Sequence, residues 1–153
     1  MKKTTGFTLI EVLVSLVLLS GGLLGLAALQ ATSLKNNQIA SNRNQATQLA
    51  YDMTDRMRTN VTVANSYITN PNAQSTLNAD CTSSVGCISE DMAQNDLSEW
   101  NNAIVTTLPN GAGSITIDAA TQAFTITITW TENIDEDNDG TPDSVTFQTN
   151  FQL

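Results

Sequence analysis

The stretch Gly6-Phe7-Thr8-Leu9-Ile10-Glu11 opens a run that continues from Val12 to Leu29 with no charged residue and only Ser15 and Ser20 as polar members. Phe7 to Leu29 is long enough to cross a bilayer as a single helix, for which about 20 mostly apolar residues suffice. Lys2 and Lys3 precede it, and the next basic residue is Lys35. That asymmetry predicts a cytoplasmic N-terminus and an exported remainder. An ordinary cleaved signal peptide has a shorter apolar region that ends in a small-residue cleavage site, whereas Leu29-Gln30 follows Ala27 and Ala28 here. A plain anchor gains nothing from Glu11, because a carboxylate in hydrocarbon costs about 3 kcal/mol or more unless it is paired. Gly21, Gly22 and Gly25 sit in mid-run. Each weakens a helix by about 1 kcal/mol relative to alanine, and small residues also let helices approach closely.

Beyond the membrane the helix continues. Ile39, Ala46, Ala50, Met53 and Met57 recur at three- to four-residue spacing with Leu49 beside them, which is one apolar stripe. Asp52 with Arg56 and Asp55 with Arg58 form helix-face pairs worth about 0.3 kcal/mol each. A helix from about Phe7 to about Thr59 would be roughly 80 Å long. Asn60 to Ser84 is polar, contains Pro71, and reads as a loop. Asp91 to Leu108 carries Ala93, Leu97, Trp100 and Ile104 at helical spacing, with Asp91 placed to cap or charge its start, and Pro109-Asn110-Gly111 ends it. Period-two alternation follows. Ile115 and Ile117, then Phe124, Ile126, Ile128 and Trp130, then Val145, Phe147, Thr149 and Phe151 mark three strands, most simply an antiparallel meander. The expected fold class is α+β: a long N-terminal helix, its inner half spanning the membrane, packed on a small antiparallel sheet.

Composition excludes several functions. There is no histidine, so the commonest general base and metal ligand is missing, and a Ser or Cys nucleophile lacks its usual partner. No glycine-rich phosphate loop follows a strand. The chain is read as a non-enzyme. Once Lys2 and Lys3 are set aside, four basic residues stand against 15 acidic ones, a net of −11 from Phe7 onward. Such a surface repels phosphate backbones, so broad nucleic-acid binding is not expected. Cys81 and Cys87 lie close together in a Ser/Thr/Gly-rich stretch. Zinc wants closer spacing and more ligands, so an exported domain points to one disulfide closing a short loop.

Between the last two strands lies Asp135-Glu136-Asp137-Asn138-Asp139-Gly140-Thr141-Pro142-Asp143. Oxygen side chains at positions 1, 3, 5 and 9, with glycine at 6, match the first half of an EF-hand loop, while Thr146 replaces the bidentate glutamate at position 12. Weak extracellular calcium binding through Asp135, Asp137, Asp139 and Asp143, with the Thr141 carbonyl, is one expectation; a solvated acidic hairpin tip is the other. No cofactor is otherwise required.

The basic leader, Gly6, the aromatic Phe7, Glu11 and the long apolar helix together resemble the processing motif of type IV pilins and pseudopilins. The stretches Gln48–Asn60, Cys87 with Met92–Trp100, and Leu108–Gly111 are similar to segments of PilV-type minor pilins. The resemblance implies that prepilin peptidase cuts between Gly6 and Phe7 and N-methylates Phe7. It implies three regions: a leader at 1–6, a transmembrane and assembly helix at 7–29, and a periplasmic or extracellular domain at 30–153. Glu11 would meet the Phe7 amine of a neighbouring subunit and so set axial register, since an opposite charge in low dielectric compensates a buried carboxylate. The implied partners are prepilin peptidase, other major and minor pilins, the inner-membrane assembly platform and a tip adhesin. The implied location is the bacterial inner membrane and then the pilus. The implied role is minor-pilin support of pilus assembly, twitching motility and adhesion. A type II secretion pseudopilin and a DNA-uptake pilin are the alternatives.

Overall fold

A computed structural model of the protein describes residues 6–71, 73, 75, 77, 81, 83, 86–134 and 140–153. By contacts the chain falls into two units, Met1–Ala40 and Ser41–Leu153. Helix α1, Leu9–Thr59, supplies the whole described helix of the first unit and the first element of the second.

The second unit is built by one apolar stripe, two further elements and a sheet. On α1, Ala46, Ala50, Met53 and Met57 are at most 1% exposed, as their i, i+4, i+3 spacing on one helix face requires. Two polar residues, Asn42 and Thr54, are buried beside them. The Thr54 hydroxyl donates to the Ala50 carbonyl at 2.9 Å, which satisfies it without an outside partner. Ile39 is only half-buried and Leu49 packs at the margin of the core.

Helix α2 spans Ser89–Thr107, two residues earlier than the periodicity predicts. Asp91 is therefore not its cap. Ile88 holds that position without a side-chain hydrogen bond, and Glu90 and Asp91 sit in the first turn, where carboxylates favour the positive end of the helix dipole. Ala93, Leu97, Trp100 and Ile104 face inward. The Trp100 indole N–H donates to the Leu49 carbonyl at 2.9 Å, tying α2 to α1. The turn after α2 uses Asn110 in the left-handed region (φ 51°). It delivers Gly113 against the Trp100 ring, where an added Cβ would lie 2.5 Å from ring carbons. Only glycine fits that approach.

Strands β1 (Ala112–Ile117), β2 (Phe124–Glu132) and β3 (Asp143–Phe151) form the expected antiparallel meander in the order β1-β2-β3. Every second residue of β2, from Phe124 to Glu132, is buried, so the central strand presents one full face to the core. The fold is α+β, with the apolar helix packed on a three-stranded sheet.

The segment expected as loop from Asn60 to Ser84 differs. Val61–Tyr67 forms a 3-10 stretch, Tyr67 is fully buried, and Thr69 bridges Ile115 of β1. One aromatic in a polar segment leaves no periodicity to detect, yet its ring finds room in the core because α2 turns past it.

Candidate assembly site

At the head of α1, Thr8 and Glu11 cap each other. The Glu11 carboxylate accepts from the Thr8 backbone N–H at 2.9 Å and from its hydroxyl at 3.0 Å. The Glu11 N–H reaches back to the Thr8 hydroxyl at 3.4 Å. This is a capping box, in which the residue three positions in returns to the cap and satisfies donors left over at the helix start. Its sequence signal is a Thr three residues before a Glu at the mouth of an apolar run. Just before the box, Phe7 is 90% exposed and nothing lies within 4 Å of a Cβ placed on Gly6. Among the described residues every ion pair involves a basic residue from Arg43 onward, and none of them includes Glu11.

From Leu9 to Leu29 every Leu, Ile and Val side chain is at least 51% exposed. This is the one described helix long and apolar enough to cross a membrane. Its hydroxyls are absorbed by its own backbone: Ser15 donates to the Glu11 carbonyl at 2.7 Å and Ser20 to the Val17 carbonyl at 2.8 Å. That removes two polar groups from the cost of hydrocarbon, as a spanning helix requires. Gly21, Gly22 and Gly25 have nothing within 4 Å of an added Cβ. They lie in unbroken helix, with room on each for another chain.

In the second unit the charged residues of α1 do more than the sequence suggests. Arg56 pairs with Asp52 at 2.9 Å, as expected, and also with Asp96 and Glu99 of α2 at 2.8 Å each. Asp96 accepts the Tyr67 hydroxyl at 2.6 Å, and Asn60 donates to both Tyr67 and the Ser89 carbonyl. Burial opposes the Arg56 charge, but hydrogen bonds to Glu99 and Asp96 and the nearby Asp52 carboxylate outweigh it and raise the guanidinium pKa. The Arg56 hydrogen bond lowers the pKa of Glu99 against a smaller opposing effect of burial. Burial, then the hydrogen bond to Asp96, raises Tyr67. Arg58 with Asp55, the other expected pair, is longer at 3.4 Å and exposed. A further pair joins α1 to β2: Arg43 lies 3.3 Å from Glu132, whose side chain is fully buried and also accepts the Trp130 indole N–H at 3.0 Å. Apart from Asp52, the partners of Arg56 and Arg43 lie 40 or more residues away in sequence, beyond the reach of helical spacing rules.

Cys81 and Cys87 are joined in a disulfide. Of the expected calcium ligands, Asp135, Asp137 and Asp139 lie outside the described residues; Thr141 is exposed and Asp143 half-buried at the start of β3. No group of three or more His, Cys, Asp or Glu among the described residues can hold a metal.

Comparison with known families agrees with this arrangement. Residues 1–27 match the prokaryotic N-terminal methylation motif, and residues 28–98 match the Tt1218-like family, type IV pilin Tt1218. No curated protein and no solved structure gives a significant match.

Proposed function

We propose that this chain, which is similar to a type IV pilin family over residues 28–98 and carries the N-terminal methylation motif over residues 1–27, is a minor pilin that helps to start or build the pilus and thereby supports twitching motility and adhesion. The methylation motif implies processing by prepilin peptidase and assembly with other pilins. On this reading, Gly6–Phe7 is the cleaved bond and Phe7 becomes the methylated first residue. The mature helix waits in the inner membrane and then moves into the filament.

The observation that carries the reading is Glu11. Its carboxylate sits in an exposed apolar helix and accepts from the Thr8 backbone N–H and hydroxyl. That capping box keeps the charge tolerable in the waiting subunit. In the filament the Phe7 amine of a neighbour supplies the compensating charge, and the gain on pairing selects one axial register. The test is Glu11→Gln against Thr8→Ala, each in competition with the wild-type chain for incorporation into pili. Glu11→Gln should insert in the membrane normally and be excluded from filaments. Thr8→Ala should retain incorporation, because the neighbour's amine is untouched. Normal incorporation of Glu11→Gln removes the register role.

Calcium at the β2–β3 connection is a separate proposal, supported by the spacing of Asp135, Asp137, Asp139, Thr141 and Asp143. Relief of repulsion among the four aspartates would raise the melting temperature in millimolar calcium. An unchanged midpoint with chelator and with calcium would leave a solvated acidic turn.

A further inference from the structure

Strand β3 is an edge strand of the described sheet, and the direction of its outward backbone groups follows from the opposite edge. Thr69 and Ile115 exchange two N–H···O bonds of 3.0 Å, so the Ile115 backbone points away from β2. Direction alternates along a strand. On β2, therefore, Thr125, Thr127, Thr129 and Thr131 address β1, while Phe124, Ile126, Ile128 and Trp130 address β3. The Thr131 N–H, 2.8 Å from the Pro109 carbonyl on the β1 side, agrees. The β3 partners of those even-numbered residues are Phe151, Thr149, Phe147 and Val145, whose main-chain groups are engaged with β2. Ser144, Thr146, Gln148 and Asn150 aim theirs outward, and no strand among the described residues receives them.

An edge of this kind is normally guarded by a charge, a proline, a bulge or short length. From Ser144 to Phe151 there is neither charge nor proline, and pairing with β2 runs nine residues without a break in register. Thr69 bridges the β1 edge at Ile115, whereas no described strand pairs with the outer side of β3. The core is unfinished on that side as well: Val145, Phe147 and Phe151 are only partly buried against it.

We propose that β3 accepts an added strand from a different subunit: an extended segment, apolar at every second residue and net positive. Its main chain would pair with Ser144, Thr146, Gln148 and Asn150, and its apolar residues would cover Val145, Phe147 and Phe151. A second copy of this chain is a poor donor because the portion from Phe7 onward carries a net charge of −11 and repels itself, whereas a basic strand is attracted. The inference rests on the assembly reading in that the donor is a fellow subunit.

The test places the photocrosslinker benzoylphenylalanine at Thr146, Gln148 or Asn150 of the full chain in assembling cells, with Leu13 as a separate probe of assembly through α1. Crosslinked residues are mapped by mass spectrometry. The expected result is a basic, alternating segment of another protein, in which the crosslinked residue steps by two as the probe steps by two. Thr146→Pro, in the chain carrying the Asn150 probe, removes an outward N–H but no β2 bond. It should lower the crosslink roughly tenfold or more, from one lost backbone hydrogen bond and the ring in its path, with the circular dichroism spectrum unchanged. No product at any of the three positions, products from a second copy, products that do not step by two, or indifference to Thr146→Pro overturns the proposal. The Leu13 product reports on assembly independently, so loss of the edge contact and loss of assembly are told apart.

Discussion

The two ends of helix α1 carry opposite surfaces on one continuous backbone. From Leu9 to Leu29 the helix is apolar on all sides and exposed on all sides. From Ser41 to Thr59 it is polar on most sides and fully buried along one stripe, at Ala46, Ala50, Met53 and Met57. Hydrophobic content alone would place the core at the wrong end. What decides is arrangement: a stripe can be covered by one small sheet, whereas an all-round apolar surface needs lipid or several neighbouring helices. One end of the helix is completed by its own chain, and the other is left for partners.

The sharpest way to break that contrast is to remove one large apolar side chain from the core that covers the stripe and one from the exposed run. Trp100→Ala, which empties the core beside α1, should cost about 4 kcal/mol of unfolding free energy, measured by denaturant titration of the full chain in detergent. Leu16→Ala, in the exposed run, should change it by under about 0.5 kcal/mol. Equal losses would mean that the two ends are not distinct.

The charged residues of α1 sharpen the contrast further. Arg56→Ala leaves Asp96, at the centre of the cluster with Tyr67, without its cation, and should cost about 2 kcal/mol. Arg58→Ala, one turn-edge away in an exposed pair, should cost about 0.3 kcal/mol. A loss of about 2 kcal/mol is also expected for Cys81→Ser with Cys87→Ser, because even a short closed loop constrains the unfolded chain. Labelling of two free thiols in the untreated protein would contradict the bridge.

The smallest effect is the pH dependence of the second unit. The Arg56 hydrogen bond lowers the Glu99 pKa. Its contribution is therefore present above the ordinary glutamate value of about 4.3 and lost as pH falls through the lowered value. Asp118, lowered by the backbone N–H groups of Thr121 and Ala120, acts in the same direction. Tyr67 is raised, so its contribution is lost as pH rises above about 10. Melting temperature should be flat near neutrality and fall at both extremes, and Arg56→Ala should shallow the acid limb. An acid limb unchanged by Arg56→Ala would assign it to other carboxylates.

Local patterns made much of this legible. The stripe on α1, the inward residues of α2 and the three alternating strands all follow from spacing within a single element, and the structure contains them. What spacing cannot carry is the partner of a residue across the fold. Arg56 was visible as half of a helix-face pair with Asp52, but its bonds to Asp96 and Glu99 depend on how α2 docks. Tyr67 and Thr69 lay in a stretch whose polar composition reads as loop, because one buried ring and one strand bridge need β1 and α2 to be in place. Asp91 missed the cap position because α2 begins at Ser89, where no side chain provides the usual signal. At the assembly site, Gly6, Phe7 and Glu11 were readable as a motif, and Thr8 was readable too, as the other half of the capping box.

The central claim is that this chain is cut at Gly6–Phe7 and built into a filament through the helix that follows. Mass spectrometry of the intact chain recovered from sheared pili tests it most directly. The account predicts a protein beginning at N-methylated Phe7. A chain absent from pili, retaining Met1 or beginning near Ala28 or Gln30, would contradict it.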